Sequence, residues 1–246
     1  MNSIETWEIK GHTLEYIDET HQYLVDGICV DSITQIVKMA FGNMYKDIPA
    51  NVLKRAADKG TEMHETIELY ELEGRESHIP ELRNYKFLKK HYKWEVLKSE
   101  IPIILFKGDE PIAAGRLDQL IQIDGKKGIN DLKRTSVFNK EYVALQTNLY
   151  KLGYEQSYDE KLDFVSGTHL RDNTRKFYKL PVNEEYTMEV IEKYLTDKLI
   201  KEQIEKNKSV INMIISNKKY SKPKRVKQLD EYIKDNMEEE NEKSNS

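Results

Sequence analysis

Apolar positions along this chain switch between two periods, and the switches mark its predicted elements. Through residues 12–25 apolar and polar residues alternate, which predicts a β-hairpin. Ser32, followed three residues later by Gln35, is a capping-box pattern and predicts the start of a short helix. Residues 49–72 take helical spacing, with Gly60 read as an interruption. Pro80 opens another helix reaching about Tyr92, with Leu82, Tyr85 and Leu88 near helical spacing. Residues 94–106 read as a long strand, Gly108-Asp109 as a turn, and residues 112–115 as the approach to a central hairpin. Its strands are residues 117–123 and 128–133, around Asp124-Gly125. An Asp-Gly pair between alternating runs is a strong hairpin signal. Residues 139–153 then read as a helix, and 162–170 and 176–182 as strands. Asn183 caps a long helix with Met188, Ile191, Leu195 and Leu199 on one stripe.

Strands in a meander, then a helix, then more strands predict an α/β fold with a mixed central sheet flanked by helices. Three segments follow from this pattern. Residues 1–48 carry the hairpin and short helix, packed on the core. Residues 49–216 form the core with its C-terminal helix, and 217–246 form a tail. No internal repeat is visible.

Counting through the central hairpin gives the first chemical expectation. A two-residue turn pairs Ile123 with Lys126 and places Asp118 opposite Asp131. Opposed residues hold their Cβ atoms about 4.5–5.5 Å apart, and like charges there repel. Lys133 shares the face of Asp131 by strand alternation. Two acids and a lysine on one patch are the layout of a metal-dependent phosphodiesterase, because a divalent cation between the acids relieves the repulsion.

Composition narrows the classes. At 246 residues the chain is one large domain or two small ones, with room for a sizeable core. With 33% charged residues and no apolar run near the roughly 20 residues needed to span a bilayer, a soluble protein is expected. Met-Asn-Ser-Ile-Glu-Thr has neither the basic nor the apolar region of a secretory signal. The single Cys29 excludes an intrachain disulfide and points to a reducing compartment. The net charge of −4 is segregated: a basic run over 218–227 precedes Glu238, Glu239, Glu240 and Glu242. Overall charge is therefore a poor guide to the local field. Beyond about Ser221 little can be buried, so disorder is expected.

Four pieces of sequence, in order, resemble the PD-(D/E)XK nuclease superfamily in its RecB-like and phage exonuclease-like branch. Gly60-Thr61-Glu62-Met63-His64 resembles the Gly-x-x-x-His helix upstream of the core. Ser99-Glu100-Ile101-Pro102 resembles the acidic strand that begins the sheet. Asp118 with Asp131-Leu132-Lys133 resembles the catalytic core, and Gln146-Thr147-Asn148-Leu149-Tyr150 the Gln-x-x-x-Tyr helix.

The resemblance implies a restriction-endonuclease-like core. It implies metal ligation by Asp118, Asp131 and the Leu132 carbonyl, with His64 and Glu100 as further ligands. Hard Mg²⁺ or Mn²⁺ suits oxygen donors, and an imidazole favours Mn²⁺. Lys133 holds the attacking water or the phosphate charge, and Gln146 and Tyr150 line the site. Arg116, Arg134 and Lys140 are candidate phosphate contacts. An iron–sulfur cluster, which some relatives carry, needs about four thiolates and is excluded by one cysteine. His64-Glu65-Thr66-Ile67-Glu68 lacks the second histidine of a zinc protease helix.

The expected function is thus a metal-dependent DNA exonuclease acting on linear duplex ends in recombination, repair or replication. It is expected to be phage-encoded and to work in the host cytoplasm. A strand-annealing or single-strand-binding protein is an implied partner, homo-oligomerisation is open, and no membrane is involved. Two rivals stand beside it: an endonuclease or structure-specific nuclease with the same site, and a silent nuclease-fold DNA-binding module. Retention of Asp118, Asp131 and Lys133 argues against the second.

Overall fold

The computed structural model describes residues 3–42 and 46–216. The basic run over 218–227 and the acidic tail lie outside the described residues. By internal contacts the chain divides into a unit of residues 1–194 and a unit of residues 195–246.

An antiparallel meander opens the first unit: β1 (Ile4–Ile9), β2 (His12–Ile17), β3 (Gln22–Val25) and β4 (Ile28–Ser32). The predicted hairpin is β2–β3, and strands on either side extend it. Leu14 and Val25 are buried in a small core with Ile9, Ile104, Phe106 and Ala114. Ser32 caps α1 (Ile33–Phe41) through the expected reciprocal capping box with Gln35.

α2 (Ala50–Glu73) runs unbroken through Gly60. The expected interruption is absent because a mid-helix glycine weakens a helix by only about 1 kcal/mol relative to alanine. Packing of Met63 and Ile67 holds the turns on its C-terminal side. α3 (Pro80–Tyr92) begins at its proline, with Leu82, Tyr85 and Leu88 buried as their spacing predicts. These residues join Ile121, Leu132, Phe164 and Leu170 of the sheet in the main core.

The long antiparallel pair β5 (Glu95–Lys107) and β6 (Glu110–Ile123) precedes β7 (Lys126–Lys133). The register of β6 and β7 pairs Ile123 with Lys126, as the two-residue Asp124-Gly125 turn requires. α4 (Lys140–Tyr158) starts at the Asn139 cap. Its Ser157 and Gln156 side chains bond the backbones of Ile104 and Phe106, fixing the helix to β5. β8 (Phe164–Arg171) and β9 (Thr174–Leu180) complete the sheet. Asn183 then caps α5 (Glu184–Ser216), accepting from Tyr186 N. Of its predicted stripe, Ile191 is buried whereas Met188 stays 38% exposed. The described part of the second unit is the continuation of α5.

The architecture is α/β, a mixed sheet flanked by helices. Nine strands pair in the order β1-β2-β3-β4-β6-β7-β8-β9, with β5 on the other edge of β6. β4 with β6 and β7 with β8 are parallel, and the remaining pairs antiparallel. β5 occupies one edge of β6, so β4 and β7 share the other. There β7 pairs up to Gln119, and β4 takes over only at Ala114. Gly115, Arg116, Leu117 and Asp118 fill the gap between these two partners. The sheet therefore splits at the most distinctive stretch of the sequence.

Gly115 has a reason to be glycine there. A Cβ at this position would sit 2.9 Å from Tyr150 Cε1 and 3.1 Å from Ile33 Cγ1. Both side chains are buried, so neither has room to retreat. Gly115→Ala is expected to destabilise by about 1–3 kcal/mol, a loss of several degrees in Tm. A thermal melt of the purified variant checks this.

Candidate active site

Three separated segments send ligand-type side chains to the split. His64 projects from α2, Glu100 from β5 and Asp118 from β6. Among the described residues, one donor atom from each of the three lies within 4.8 Å of the others. His64 Nδ1 is 3.7 Å from Asp118 Oδ1.

Asp118 stands just beyond the last β6–β7 ladder pair, Gln119 with Asn130. Its carboxylate Oδ2 accepts the Leu132 N–H at 2.6 Å, closing the ladder with a side chain. That bond fixes one Asp118 oxygen and leaves Oδ1 toward His64. Behind it runs a buried polar chain. Gln119 Nε2 donates to the Tyr85 hydroxyl at 2.9 Å, and Asn130 Nδ2 donates to Gln119 Oε1 at 3.0 Å. Thr168 Oγ1 donates to Asn130 Oδ1 at 2.7 Å. A satisfied network in a core resists distortion, so it holds the two strands in register one residue before the acids.

Glu100 is placed by an unusual backbone. It has φ of +49° inside β5, the left-handed region that a non-glycine residue enters only at a cost of order 1 kcal/mol. The neighbouring pairs, Ser99 with Gln119 and Ile101 with Leu117, put it level with Asp118. This fixes the register that the sequence leaves open. Burial pushes the Glu100 carboxyl up to about 8, and the Asp118 charge adds to the rise against the pull of Arg116. Two acids held this close, with the proton affinity of Glu100 raised, suit a cation between them.

Asp131 has a different place. It is 2% exposed and lies outside the group of three donors. Lys133 Nζ is 2.8 Å from its Oδ1 and 2.7 Å from its Oδ2. Only the first contact has hydrogen-bonding geometry, so Oδ2 is buried without a hydrogen bond. Burial lifts the Asp131 carboxyl to about 6, Lys133 opposing and Asp118 reinforcing the shift. Burial disfavours the Lys133 charge, but Asp131 and Asp118 outweigh it and hold its pKa above the ordinary value. The ammonium therefore stays protonated, anchored to an acid at the cleft wall.

Gln146 and Tyr150 lie one turn apart on α4 and are 6% and 7% exposed. Burial and the nearby Asp118 carboxylate push the Tyr150 hydroxyl well up, while a hydrogen bond from Gln146 acts the other way. Gln146 Oε1 is buried without a hydrogen-bond partner. Tyr150 remains a neutral donor at any physiological pH.

A cleft of about 1060 Å³ covers the site, lined by His64, Glu68, Glu100, Asp118, Leu132 and Lys133 among others. No protein-family model matches this chain, and no curated protein matches it. It is similar to the crystal structure of SSO0001 at 14% identity and a TM-score of 0.39, over 68% of this chain and 75% of that one. That likeness is too distant to carry an argument.

The expected phosphate contacts do not stand free. Arg116 donates from Nη1 to both Glu5 carboxylate oxygens at 2.9 Å and lies 3.1 Å from Glu100 through Nε. Two acidic side chains therefore engage a charge expected to meet phosphate. Arg134 lines the cleft but is held by Glu81 at 2.6 Å and Asp172 at 3.0 Å. Lys140 is not among the cleft-lining residues, and its Nζ lies 4.9 Å from the Tyr178 ring centre. Both arginines line the cleft and are tied to acids there.

Glu5 and the Gln119–Asn130 pair are functional neighbours that the sequence reading misses. For the latter a signal exists, since polar residues at inward positions of apolar strands need buried partners. Glu5 carries no such signal, because its contact spans more than a hundred residues. Glu68 lines the cleft and helps raise the Glu100 proton affinity, which places it nearer Glu100 electrostatically than the helix spacing suggests.

The donor set can be tested against a cation directly. Ligand atoms around one Mg²⁺ or Mn²⁺ lie at most ~4.2 Å apart. The three donors lie within 4.8 Å of one another, so sharing one ion needs closure of at least about half an ångström. An imidazole and two carboxylates from three segments fit a divalent ion.

Proposed function

We propose that this chain is a metal-dependent deoxyribonuclease with a PD-(D/E)XK core, acting as an exonuclease on linear DNA. The observation that carries the reading is the meeting of His64, Glu100 and Asp118 beside a charged Lys133. His64, Glu100 and Asp118 would hold the divalent cation. When bound, such an ion polarises a phosphate oxygen and offsets charge on the departing 3′ oxygen.

The chain's own groups do the rest. The Lys133 ammonium is kept charged by Asp131 and faces the cleft, where it orients the attacking water or meets charge growing on the phosphate. Preorganised charge of this kind acts strongly because it needs no rearrangement during reaction. Asp131 is chiefly a positioning residue, since its near-complete burial keeps it from the substrate. Tyr150 stays neutral and lies within the field of the Asp118 carboxylate. Exonuclease action is favoured over internal cleavage because the Gly60–His64 and Gln146–Tyr150 pieces resemble that branch.

Linear and circular duplex DNA incubated with Mg²⁺, Mn²⁺ or EDTA tests the proposal. Metal-dependent loss of the linear form alone is expected. Loss of both forms would favour an endonuclease, and no cleavage in any lane would count against the enzyme reading.

A further inference from the structure

The outer face of α3 is unlike an ordinary solvated helix. Residues 80–93 carry Arg83, Lys86, Lys89, Lys90 and Lys93 against one acid, Glu81, which is buried against Arg134. Lys86 and Lys89 are paired with Glu76 and Glu71. Arg83, Lys90 and Lys93 have no acidic partner among the described residues. A solvated face normally interleaves both signs, and this one does not.

Aromatic rings lie between these charges. Phe87 is 47% exposed on the same face, one turn from Arg83 and Lys90. The Arg175 guanidinium of β9 sits 3.8 Å from its ring centre. His91 stacks parallel to Phe87 at 6.0 Å and meets Tyr92 edge-on at 4.8 Å, and Tyr92 in turn contacts Phe177 of β9. A hollow of about 550 Å³ opens beside Phe87, lined also by Tyr70, Lys86, Lys89, Lys90 and Trp94. The inner side of the same helix is tied to the rim of the cleft. Asn84 of α3 donates to the Arg171 carbonyl at 2.7 Å, and Arg171 lines the cleft. Its neighbour Leu170 pairs across the hairpin with Arg175.

We propose that this face, from Arg175 and Phe87 to Lys90 and His91, is a track for single-stranded nucleic acid leading to or from the cleft. Alternating rings and free cations match what a single strand offers: exposed base faces for stacking and a phosphate every nucleotide. A duplex hides its base faces and leaves the rings without a role. The inference deepens the nuclease reading and rests on it, since it assigns the cleft's strand a path.

Fluorescence anisotropy of a labelled oligodeoxythymidylate tests it, using the full chain in EDTA so that nothing is cut. Phe87→Ala is expected to weaken binding about tenfold. A Lys90→Ala, Arg175→Ala double variant is expected to lower the salt slope by about 0.7 for each lost phosphate contact. Both variants should keep the wild-type circular dichroism and the wild-type metal-dependent hydrolysis of bis-(p-nitrophenyl) phosphate, which reads the catalytic centre alone. Wild-type affinity in both variants would overturn the track. Tighter binding of a duplex of equal length, equally weakened by the substitutions, would overturn the single-strand assignment. Absence of hydrolysis by the wild-type protein would sink the nuclease reading and leave the binding result standing.

Discussion

Lys133→Ala is expected to cut metal-dependent DNA cleavage by at least roughly 10²–10³-fold, the effect of removing one preorganised charge from a transition state. Lys133 lines the cleft while its Nζ is tied to Asp131. The substitution removes the cation and also strands a buried acid. A buried charge that loses its partner destabilises a protein by several kcal/mol unless it takes up a proton. Asp131, whose carboxyl already sits at about 6, is poised to do so, and this moderates the loss of stability. Lys133→Arg separates the two consequences. It keeps a positive charge for Asp131 but replaces a compact ammonium with a wide planar group. It should therefore remain folded and still cleave poorly. Gel assays on linear duplex, with melting curves alongside, read both effects; a fully active Lys133→Ala protein would remove Lys133 from the mechanism.

The second large effect concerns the metal-free protein. Glu100 has a carboxyl at about 8 in the folded chain against an ordinary value of 4.5. An acid with a raised folded pKa stabilises the fold in its neutral form. That contribution is complete below about pH 4.5 and is lost as pH rises through 8. Asp131 shifts in the same direction, with its window between about 4 and 6. Without metal, the protein should thus become less stable from pH 5 to pH 8. Mn²⁺ or Mg²⁺ at pH 8 should reverse the loss, because a cation favours the ionised acids and is bound only by the fold. Glu100→Gln removes the charge without removing the side chain, and Arg116 keeps its Glu5 partner. Its metal-free Tm at pH 8 should exceed wild type by roughly 3–6 °C, corresponding to about 1–2 kcal/mol. The metal-induced rise should shrink or vanish. Equal metal-induced shifts in wild type and Glu100→Gln would take Glu100 out of the ligand set.

Local grammar made the central hairpin legible. The Asp124-Gly125 turn fixes its register as far as Gln119 with Asn130, one position short of the Asp118–Asp131 opposition that counting predicts. The caps at Ser32 and Asn183 were equally readable, since each is satisfied within three residues. What escaped depends on distant partners. β1 and β4 are strands because neighbours pair with them, and their exposed residues carry little core signal. The continuity of α2 through Gly60 depends on packing beyond the glycine. The split in the edge of β6 arises from β4 joining across about eighty residues, which no turn announces. The left-handed Glu100 follows no local rule either, because strands disfavour that conformation. Among the site residues, the motif positions His64, Glu100 and Asp118 meet in space. The division of labour between Asp118 and Asp131 comes from burial, which a hairpin register does not specify.

The Glu5 contact links the candidate site to the margin of the sheet. β1 pairs only with β2, so it has no second neighbour to hold it. Edge elements open at lower free energy than core strands. Glu5 on this strand holds Arg116 from one side while Glu100 holds it from the other. The Glu5–Arg116 bond thus joins the outermost strand of the sheet to the arginine that pairs with Glu100 at the candidate metal site.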